Sequence, residues 1–548
     1  MSRTTAPSTR SRRKRTPSSP PPDGVTIAEL LGGANNHLGL SLIPEPQLLF
    51  ANGQICEDPK TGLSAFGPYS KTDATRRPII RVGVVGPAEA IDKALQLIER
   101  MGAPIPCSEK LDVMLHPGFP GINDQHPFEI QFVTQPVWCR KLTPTQVATV
   151  ENHPDFPTRI KLLVDFVSEQ VKALADQDSG PDVVLIAMTA GLEKKCRVGI
   201  AAHDKALRDA AKQAEEDEDE IADIIEEVDE DVEPEEEDPE GEEGEGEQEP
   251  VAAERPDTAR SFRRGLKAEC MQHVPTQLLW NRTLTGTKGV QDLATRGWNL
   301  SVALMYKARI IPWRLADIID GSCFVGVSFF QPDGEPGTTR TSVAQAFTHD
   351  GNGFVLQGRK FTWNATRTER SPHLDQPGAK ALIDQVLETY DTEVGGKPRR
   401  FILHKTSRYT KEEREGFEEG LAGIRDTALV TLSHRGITCL RPGKKPVLRG
   451  TIVDFGDKRG LVYTTGYIPY LRCYPGFRIP QPLEITENWG SLTFREVATD
   501  LMRLTKLNWN TAAFCCVDPI TIAFSRRVGE ILKIANTDSP SRFYRDYM

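Results

Sequence analysis

The chain has 548 residues, 38% apolar and 26% charged, with 44 Gly and 40 Pro, which excludes a marginal mini-protein and leaves room for roughly two to four globular domains with some low-complexity sequence. Its 67 basic and 77 acidic residues give a formal charge of −10, and taken whole that argues against a nucleic-acid binder, which shows a basic footprint. The acid is local, however: Glu215 to Glu249 hold 23 Asp or Glu and no Lys or Arg, and without them 67 bases face 54 acids, a net of +13.

The N-terminal residues 1–41 read as a disordered, basic, Ser/Pro-rich tail. Arg10, Arg12, Arg13, Lys14 and Arg15 are followed by Ser and Pro rather than by an apolar run, so the segment is not a secretory signal. No stretch approaches the roughly 20 apolar residues that span a bilayer. The ten cysteines form no Cys-x-x-Cys pair and no zinc spacing, as expected of reduced thiols in a cytoplasmic protein.

A lead-in segment over 42–78 contains Gln47-Leu48-Leu49-Phe50 and ends in Gly/Pro-rich sequence. From Ile79 onward the pattern alternates strand and helix. Strands are predicted over Ile80–Val85, Leu111–Leu115, Glu129–Val133 and Asp182–Met188, and helices over Ala88–Met101 and Phe156–Ala173. Strands separated by helices of this length imply a mostly parallel α/β sheet, here assigned to 79–316 with an acidic, disordered insertion over 203–258. Gly83-Val84-Val85-Gly86 lacks the glycine spacing of a dinucleotide site and reads as a plain strand-to-helix turn.

From 317 to 548 the pattern changes. Three apolar or alternating runs, Cys323–Phe330, Val343–Thr348 and Phe354–Gln357, are joined by Gly-containing turns. A helix over Gly378–Tyr390, a strand over Arg400–His404 and a helix over Lys411–Leu421 come next, then strands at Ala428–Ser433, Gly450–Val453 and Leu461–Thr464. Helices over Leu492–Leu504 and Ile520–Ile534 close the chain. Three antiparallel strands followed by alternating helices and strands is the order of an RNase H-like domain.

The most informative stretch runs from Phe262 to Leu315. Arg263 and Lys267 are four residues apart and share one helix face, where two cations repel unless an anion lies between them. Gln277 adds an amide donor and Lys307 a third cation, so that four donors converging on one point would make a pocket for a terminal phosphate. A solvated basic helix face is the alternative.

The succession "FRRGLKA", "PTQLL", "WNLSVALMYKA" and "PWRL" between 262 and 315 resembles the MID-to-PIWI junction of short prokaryotic Argonautes. Two further segments carry the same resemblance, "LLFANGQICEDPKTGLSAFGPYS" over 48–70 and "LTKLNWNTAAFCCVDPITIAFSRRVGEIL" over 504–532. It implies a Rossmann-like MID domain that anchors the 5′-phosphate of a guide strand, with Arg263, Lys267, Gln277 and Lys307 in the anchoring positions. The first of these is usually Tyr or His in the family, so Arg263 is a departure that gives up an aromatic stacking face. The family also places a divalent ion in this pocket, here Mg²⁺ beside the Met548 carboxylate.

The same resemblance implies an RNase H-like PIWI domain without its metal-binding carboxylates. Ser328 and Thr406 stand where aspartates belong, and Arg526 replaces the last acid or histidine. Two hydroxyls and a cation cannot hold two Mg²⁺ ions, which require anionic oxygen. The position of the glutamate-finger equivalent is not legible. His404, with no nucleophile beside it in sequence, reads as a packed or solvent-edge histidine.

The expected function is a catalytically inactive, guide-binding Argonaute. Its partners would be a short guide RNA, a complementary single-stranded DNA target and an APAZ-containing effector (TIR, Sir2 or nuclease), acting in prokaryotic immunity against plasmids or phage. Two other readings stand beside it: a PIWI nuclease with an unrecognised site, and an acidic scaffold that recruits basic partners through 215–249. The acidic block itself reads either as a solubilising insertion or as a polyanion competing for a basic channel.

Overall fold

The computed structural model describes residues 39–197 and 261–548, apart from 74–75, 110, 287–289, 333–337, 348–352, 364–370, 435–436, 444, 477–478, 536 and 538–539, and without the side chains of 342–347. The expected acidic insertion over 203–258 and residues 1–38 of the expected tail lie outside the described residues.

In chain order the first elements are β1 (Gly39–Leu42), β2 (Leu48–Leu49), β3 (Ile55–Cys56), α1 (Pro59–Phe66), β4 (Ile79–Pro87) and α2 (Ala88–Met101). They are followed by β5 (Gln131–Val133), β6 (Cys139–Leu142), α3 (Pro144–Asn152), α4 (Phe156–Ala175), β7 (Val183–Ala187) and α5 (Ala190–Cys196). After the acidic block come α6 (Phe262–Cys270), β8 (Thr276–Leu279), α7 (Asn281–Thr285), α8 (Leu293–Lys307) and β9 (Arg314–Leu315).

β6, β4, β7 and β8 lie side by side and all pair in parallel, with β5 alongside the first residues of β4. β4 and β7 are almost continuously apolar because both faces are covered. Ile80, Val82, Val84, Val183 and Leu185 pack into the cluster that includes α2 and α8. Val85, Val184 and Ile186 point the other way, into the cluster built on α4 and α6. α4 is stopped at its start by Asp155, whose carboxylate accepts from the Thr158 N–H at 2.9 Å, satisfying one of the helix's unpaired donors.

The remaining elements are β10 (Ser322–Phe330), β11 (Thr338–Phe347), β12 (Val355–Thr362), α9 (Gln376–Val394), β13 (Arg400–Lys405), α10 (Lys411–Gly420) and β14 (Asp426–Ser433). They end with β15 (Thr451–Gly456), β16 (Arg459–Val462), β17 (Leu483–Gly490), α11 (Phe494–Leu504) and α12 (Ile520–Ile534). The strands form one nine-stranded sheet in the order β1-β15-β16-β17-β14-β13-β10-β11-β12. β10, β11 and β12 are antiparallel neighbours, whereas β10, β13 and β14 run parallel, with Gly326 beside His404 and Lys405 beside Thr431. One face packs Cys323, Val325, Val327, Phe401 and Leu403 against α9 and α10. On the other, Phe324, Ile402 and Val430 join α11 and α12 in the same core that reaches β4 and α8.

The lead-in segment ties the two sheets together. Leu48 and Leu49 pair with Leu315 and Arg314, just before β10 begins. Glu45 then inserts its carboxylate between two buried cations. Arg449 Nε lies 2.9 Å from Glu45 Oε2, and Lys506 Nζ lies 2.8 Å from Oε1. Burial pushes the Glu45 carboxyl up, but Arg449 and Lys506 outweigh it and hold it below its ordinary value.

Two expectations need correction. Leu111–Leu115 is not a strand: the segment turns, with Asp112 accepting from the Met114 N–H and from the His116 N–H, each at 2.8 Å. Val113 and Met114 are exposed, and only Leu115 packs against a small cluster around Phe514. The ordered chain also starts earlier than expected, because β1 at Gly39 already pairs with β15. No helix among the described residues is long and apolar enough to cross a membrane.

Glu45→Gln would leave Arg449 and Lys506 without their carboxylate, at an expected cost of about 3–5 kcal/mol at pH 7. Since the folded pKa is depressed, this difference from wild type is full above roughly pH 4.5 and shrinks as pH falls through the folded value. Urea unfolding at pH 7, 4.5 and 3 measures it, and a difference that does not change with pH contradicts the pairing.

Candidate nucleic-acid interface

α6 is an amphipathic helix whose sequence sorts its side chains by spacing. Ser261 caps it, accepting from the Arg264 N–H at 3.3 Å. Phe262, Leu266 and Cys270 are four apart and buried against α4, where a Cβ on Gly265 would stand 2.9 Å from Val164. Arg263 and Lys267, one residue further round, form the adjacent stripe. Arg264 turns away to an ion pair with Glu530 of α12 at 2.9 Å.

Arg263, Lys267, Gln277, Leu278, Trp280, Asn510 and Met548 line one pocket. Lys267 is only 3% exposed, and its Nζ donates to the Thr276 carbonyl at 2.6 Å. Lys307, 1% exposed at the end of α8, reaches the pocket from behind by donating to Gln277 Oε1. The expected quartet therefore converges, three members in the lining and the fourth through Gln277. The lining contains two cations and no acidic side chain.

Asn510 and Met548 arrive from the far end of the sequence. Trp313 donates to the Lys506 carbonyl at 2.8 Å, and Trp509 donates to the Trp313 carbonyl at 3.2 Å. Asn299 of α8 accepts from Thr511 Oγ1 at 3.0 Å and from the Ala512 N–H at 2.9 Å. Tyr306 stacks on Trp509 at 4.6 Å, and Tyr544 stacks on Phe524 at 3.7 Å. Burial pushes the Asp546 carboxyl up, against the pull of Ser541, Arg545, Lys267 and Arg309.

A second constellation stands at the carboxyl ends of β10, β13 and β14. Ser328 Oγ donates to the Ser525 carbonyl of α12 at 2.7 Å. Thr406 is exposed immediately after β13. Arg526 of α12 lies 3.9 Å from Asp518, with its side chain 47% exposed. His434, just past β14, holds the same carboxylate at 2.6 Å. Burial pushes Asp518 up, but the His434 hydrogen bond, with Arg526 and Arg527 nearby, keeps it below its ordinary value.

No family model matches the sequence, and no curated protein matches it. Solved structures do. The crystal structure of A. aeolicus Argonaute has a TM-score of 0.51 at 12% identity, covering 91% of this chain and 53% of that one. The same protein with externally bound siRNA gives 0.52 at 12%, covering 93% and 55%. Clostridium butyricum Argonaute bound to a guide DNA and a 19-mer target DNA gives 0.52 at 14%, covering 92% and 54%. The chain has an Argonaute fold. It spans about half the length of each of these Argonautes.

Within this Argonaute fold, His404 is a packed residue: Nδ1 meets Thr521 Oγ1 at 2.8 Å, and burial lowers its pKa to about 3. Lys405 points to the opposite sheet face, where Nζ meets Glu413 Oε2 at 2.6 Å, both side chains almost fully buried. Among the described residues no group of three or more His, Cys, Asp or Glu stands where it could hold a metal ion. In the α6 pocket, the Gln277 oxygen accepts from Lys307 and the Thr276 carbonyl from Lys267, so the side chains make no cage for Mg²⁺.

Sequence reasoning missed Leu278, Trp280 and Asn510 in the pocket, and His434 and Asp518 at the strand ends. Trp280 and Leu278 were within reach, next to Gln277. Asn510, His434 and Asp518 are brought in by contacts hundreds or tens of positions apart and left no local signal.

α12 is held against β10 by Gly326, where a Cβ would meet the Thr521 carbonyl oxygen at 2.0 Å. Gly326→Ala is expected to destabilise the fold by about 1–3 kcal/mol, read by urea unfolding; an unchanged midpoint contradicts this close packing.

Proposed function

We propose that the chain is a short Argonaute that holds the 5′-phosphate of a guide strand, RNA by the resemblance of its motifs, and uses it to find complementary single-stranded DNA. In this reading residues 79–316 are the Rossmann-like MID domain and 317–548 the RNase H-like PIWI domain. The observation that carries it is the convergence of Arg263, Lys267, Gln277 and Lys307 around one pocket with no acidic side chain in its lining.

The chemistry follows from that geometry. A terminal phosphate accepts charge-assisted hydrogen bonds from Arg263 and Lys267 and a neutral one from the Gln277 amide. An anion arriving between Arg263 and Lys267 relieves their mutual repulsion and offsets the cost of keeping an ammonium out of water. Mg²⁺, if bound, would depend on ligand phosphate oxygens and the Met548 carboxylate, because the lining offers no acidic side chain; no step here uses it. Base pairing supplies sequence specificity, and the protein supplies backbone contacts.

Ser328, Thr406 and Arg526 occupy the positions of metal-holding acids in this reading, so the chain binds without cutting. Cleavage or another effect would come from an APAZ-containing effector (TIR, Sir2 or nuclease) triggered by target recognition, in the cytoplasm, as defence against plasmids or phage. That part rests on the motif resemblance alone.

Lys267→Ala is expected to weaken a 5′-phosphorylated guide by on the order of 10- to 100-fold and a 5′-hydroxyl guide of the same sequence by less than about threefold. Fluorescence anisotropy reads both, and equal losses would mean that the phosphate sits elsewhere. Guide-loaded protein incubated with labelled target and Mg²⁺ or Mn²⁺ should leave the target intact; metal-dependent cleavage favours the nuclease reading instead.

A further inference from the structure

Three asparagines meet where the two halves of the chain join, and two of them are spent on holding that join. Asn299 of α8 accepts from Thr511 Oγ1 and from the Ala512 N–H, and its Nδ2 donates to Gln291 Oε1 at 2.9 Å. Asn508 accepts from the Asn510 N–H at 3.0 Å and donates through Nδ2 to Cys516 Sγ at 3.3 Å. The third, Asn510, lines the α6 pocket with Arg263, Lys267 and Gln277. It is partly buried, and among the described residues nothing hydrogen-bonds to its side-chain amide. Its backbone is nonetheless pinned on both sides, by Trp509 donating to the Trp313 carbonyl at 3.2 Å and by Thr511 on Asn299. The turn itself is made by the Asn508 side chain, so the fold has no use for the Asn510 amide.

We infer that Asn510 is a further phosphate-binding residue: its side-chain amide donates to the 5′-phosphate of the guide from the nine-stranded half of the chain. This rests on the proposed guide-binding function and adds to it a contact from outside α6 and β8. Part of the donor capacity on the α6 side is already committed, Lys267 to the Thr276 carbonyl and Gln277 Nε2 to the Leu278 carbonyl at 3.3 Å. A terminal phosphate presents three strong acceptor oxygens, and the two N–H groups of an Asn amide meet what the committed donors leave. A neutral donor also adds grip without adding a third positive charge beside Arg263 and Lys267. The phosphate is then held from both halves at once.

The test measures the affinity of the full chain for a 5′-phosphorylated and a 5′-hydroxyl RNA of one sequence by fluorescence anisotropy, once with Mg²⁺ and once with EDTA. In both buffers Asn510→Ala should weaken the phosphorylated strand by roughly fivefold to tenfold and the hydroxyl strand by less than about twofold. Asn510→Asp keeps the shape of the side chain but sets a carboxylate against the phosphate. In EDTA, where no divalent cation bridges the two, it should weaken the phosphorylated strand by on the order of 100-fold and again spare the hydroxyl strand. The hydroxyl strand uses the rest of the site, so its retained affinity shows that each variant is folded. A residue that only shaped the turn would cost both strands alike, and Asp, the closer match in shape, would cost less than Ala.

A wild type that prefers the phosphorylated strand, with variants that keep that preference in full or weaken both strands equally, overturns the contact and leaves the functional reading standing. A wild type that binds both strands equally in both buffers overturns the functional reading itself.

Discussion

Lys267 and Lys307 keep two ammonium groups almost wholly out of water, each donating to a neutral oxygen of β8. Removing an ammonium from water costs several kcal/mol, and an anion delivered to the site recovers part of that cost. In the proposed function the pocket takes a ligand whose charge is opposite to that of Arg263 and Lys267. A terminal phosphate meets this requirement because it carries charge and several acceptor oxygens at one point.

The rest of the fold serves to keep those cations where they are. α6 positions Lys267 by burying its apolar stripe against α4, and α8, capped at its start by Asp292 and buried along most of its length, carries Lys307 at its end. Asn510 and Met548 close the pocket from the nine-stranded half. They are held there by the Trp313–Lys506 and Trp509–Trp313 hydrogen bonds. Lys506 is fixed in turn by Glu45 of the lead-in segment. One chain of contacts thus runs from residue 45 to the pocket, and α12 joins α6 through the Arg264–Glu530 ion pair.

Much of this was legible in the sequence, for physical reasons. β4 and β7 are buried on both faces and read as unbroken apolar runs, and α2 and α12 show clean helical spacing with the boundaries observed. Arg263, Lys267 and Gln277 lie within fifteen positions, but their spacing fits a solvated basic helix face as well as a phosphate pocket, and the motif resemblance is what singles out the pocket. β17 was missed because Glu487 interrupts the alternation set by Leu483, Ile485 and Trp489, which leaves a short, weak pattern. β1 was missed because all four of its residues are exposed, which leaves no burial signal. Leu111–Leu115 misled in the opposite sense: Val113 and Met114 stay exposed, and only Leu115 packs against a small cluster around Phe514. Glu45, Asp518 and His434 carry no local mark at all, since each acquires its meaning from a partner brought close by folding. The total charge of −10 concealed the pocket for a related reason, because a sum over the chain mixes the acidic block of 215–249 with a basic remainder.

The central claim is that the buried cations of α6 and α8 receive the terminal phosphate of a nucleic-acid strand. A structure of the full chain with a 5′-phosphorylated oligonucleotide tests it most directly. The account predicts the terminal phosphorus within hydrogen-bonding reach of Arg263, Lys267 and Gln277, with Lys307 behind them. A 5′ end bound elsewhere, with the pocket left to solvent, would contradict it.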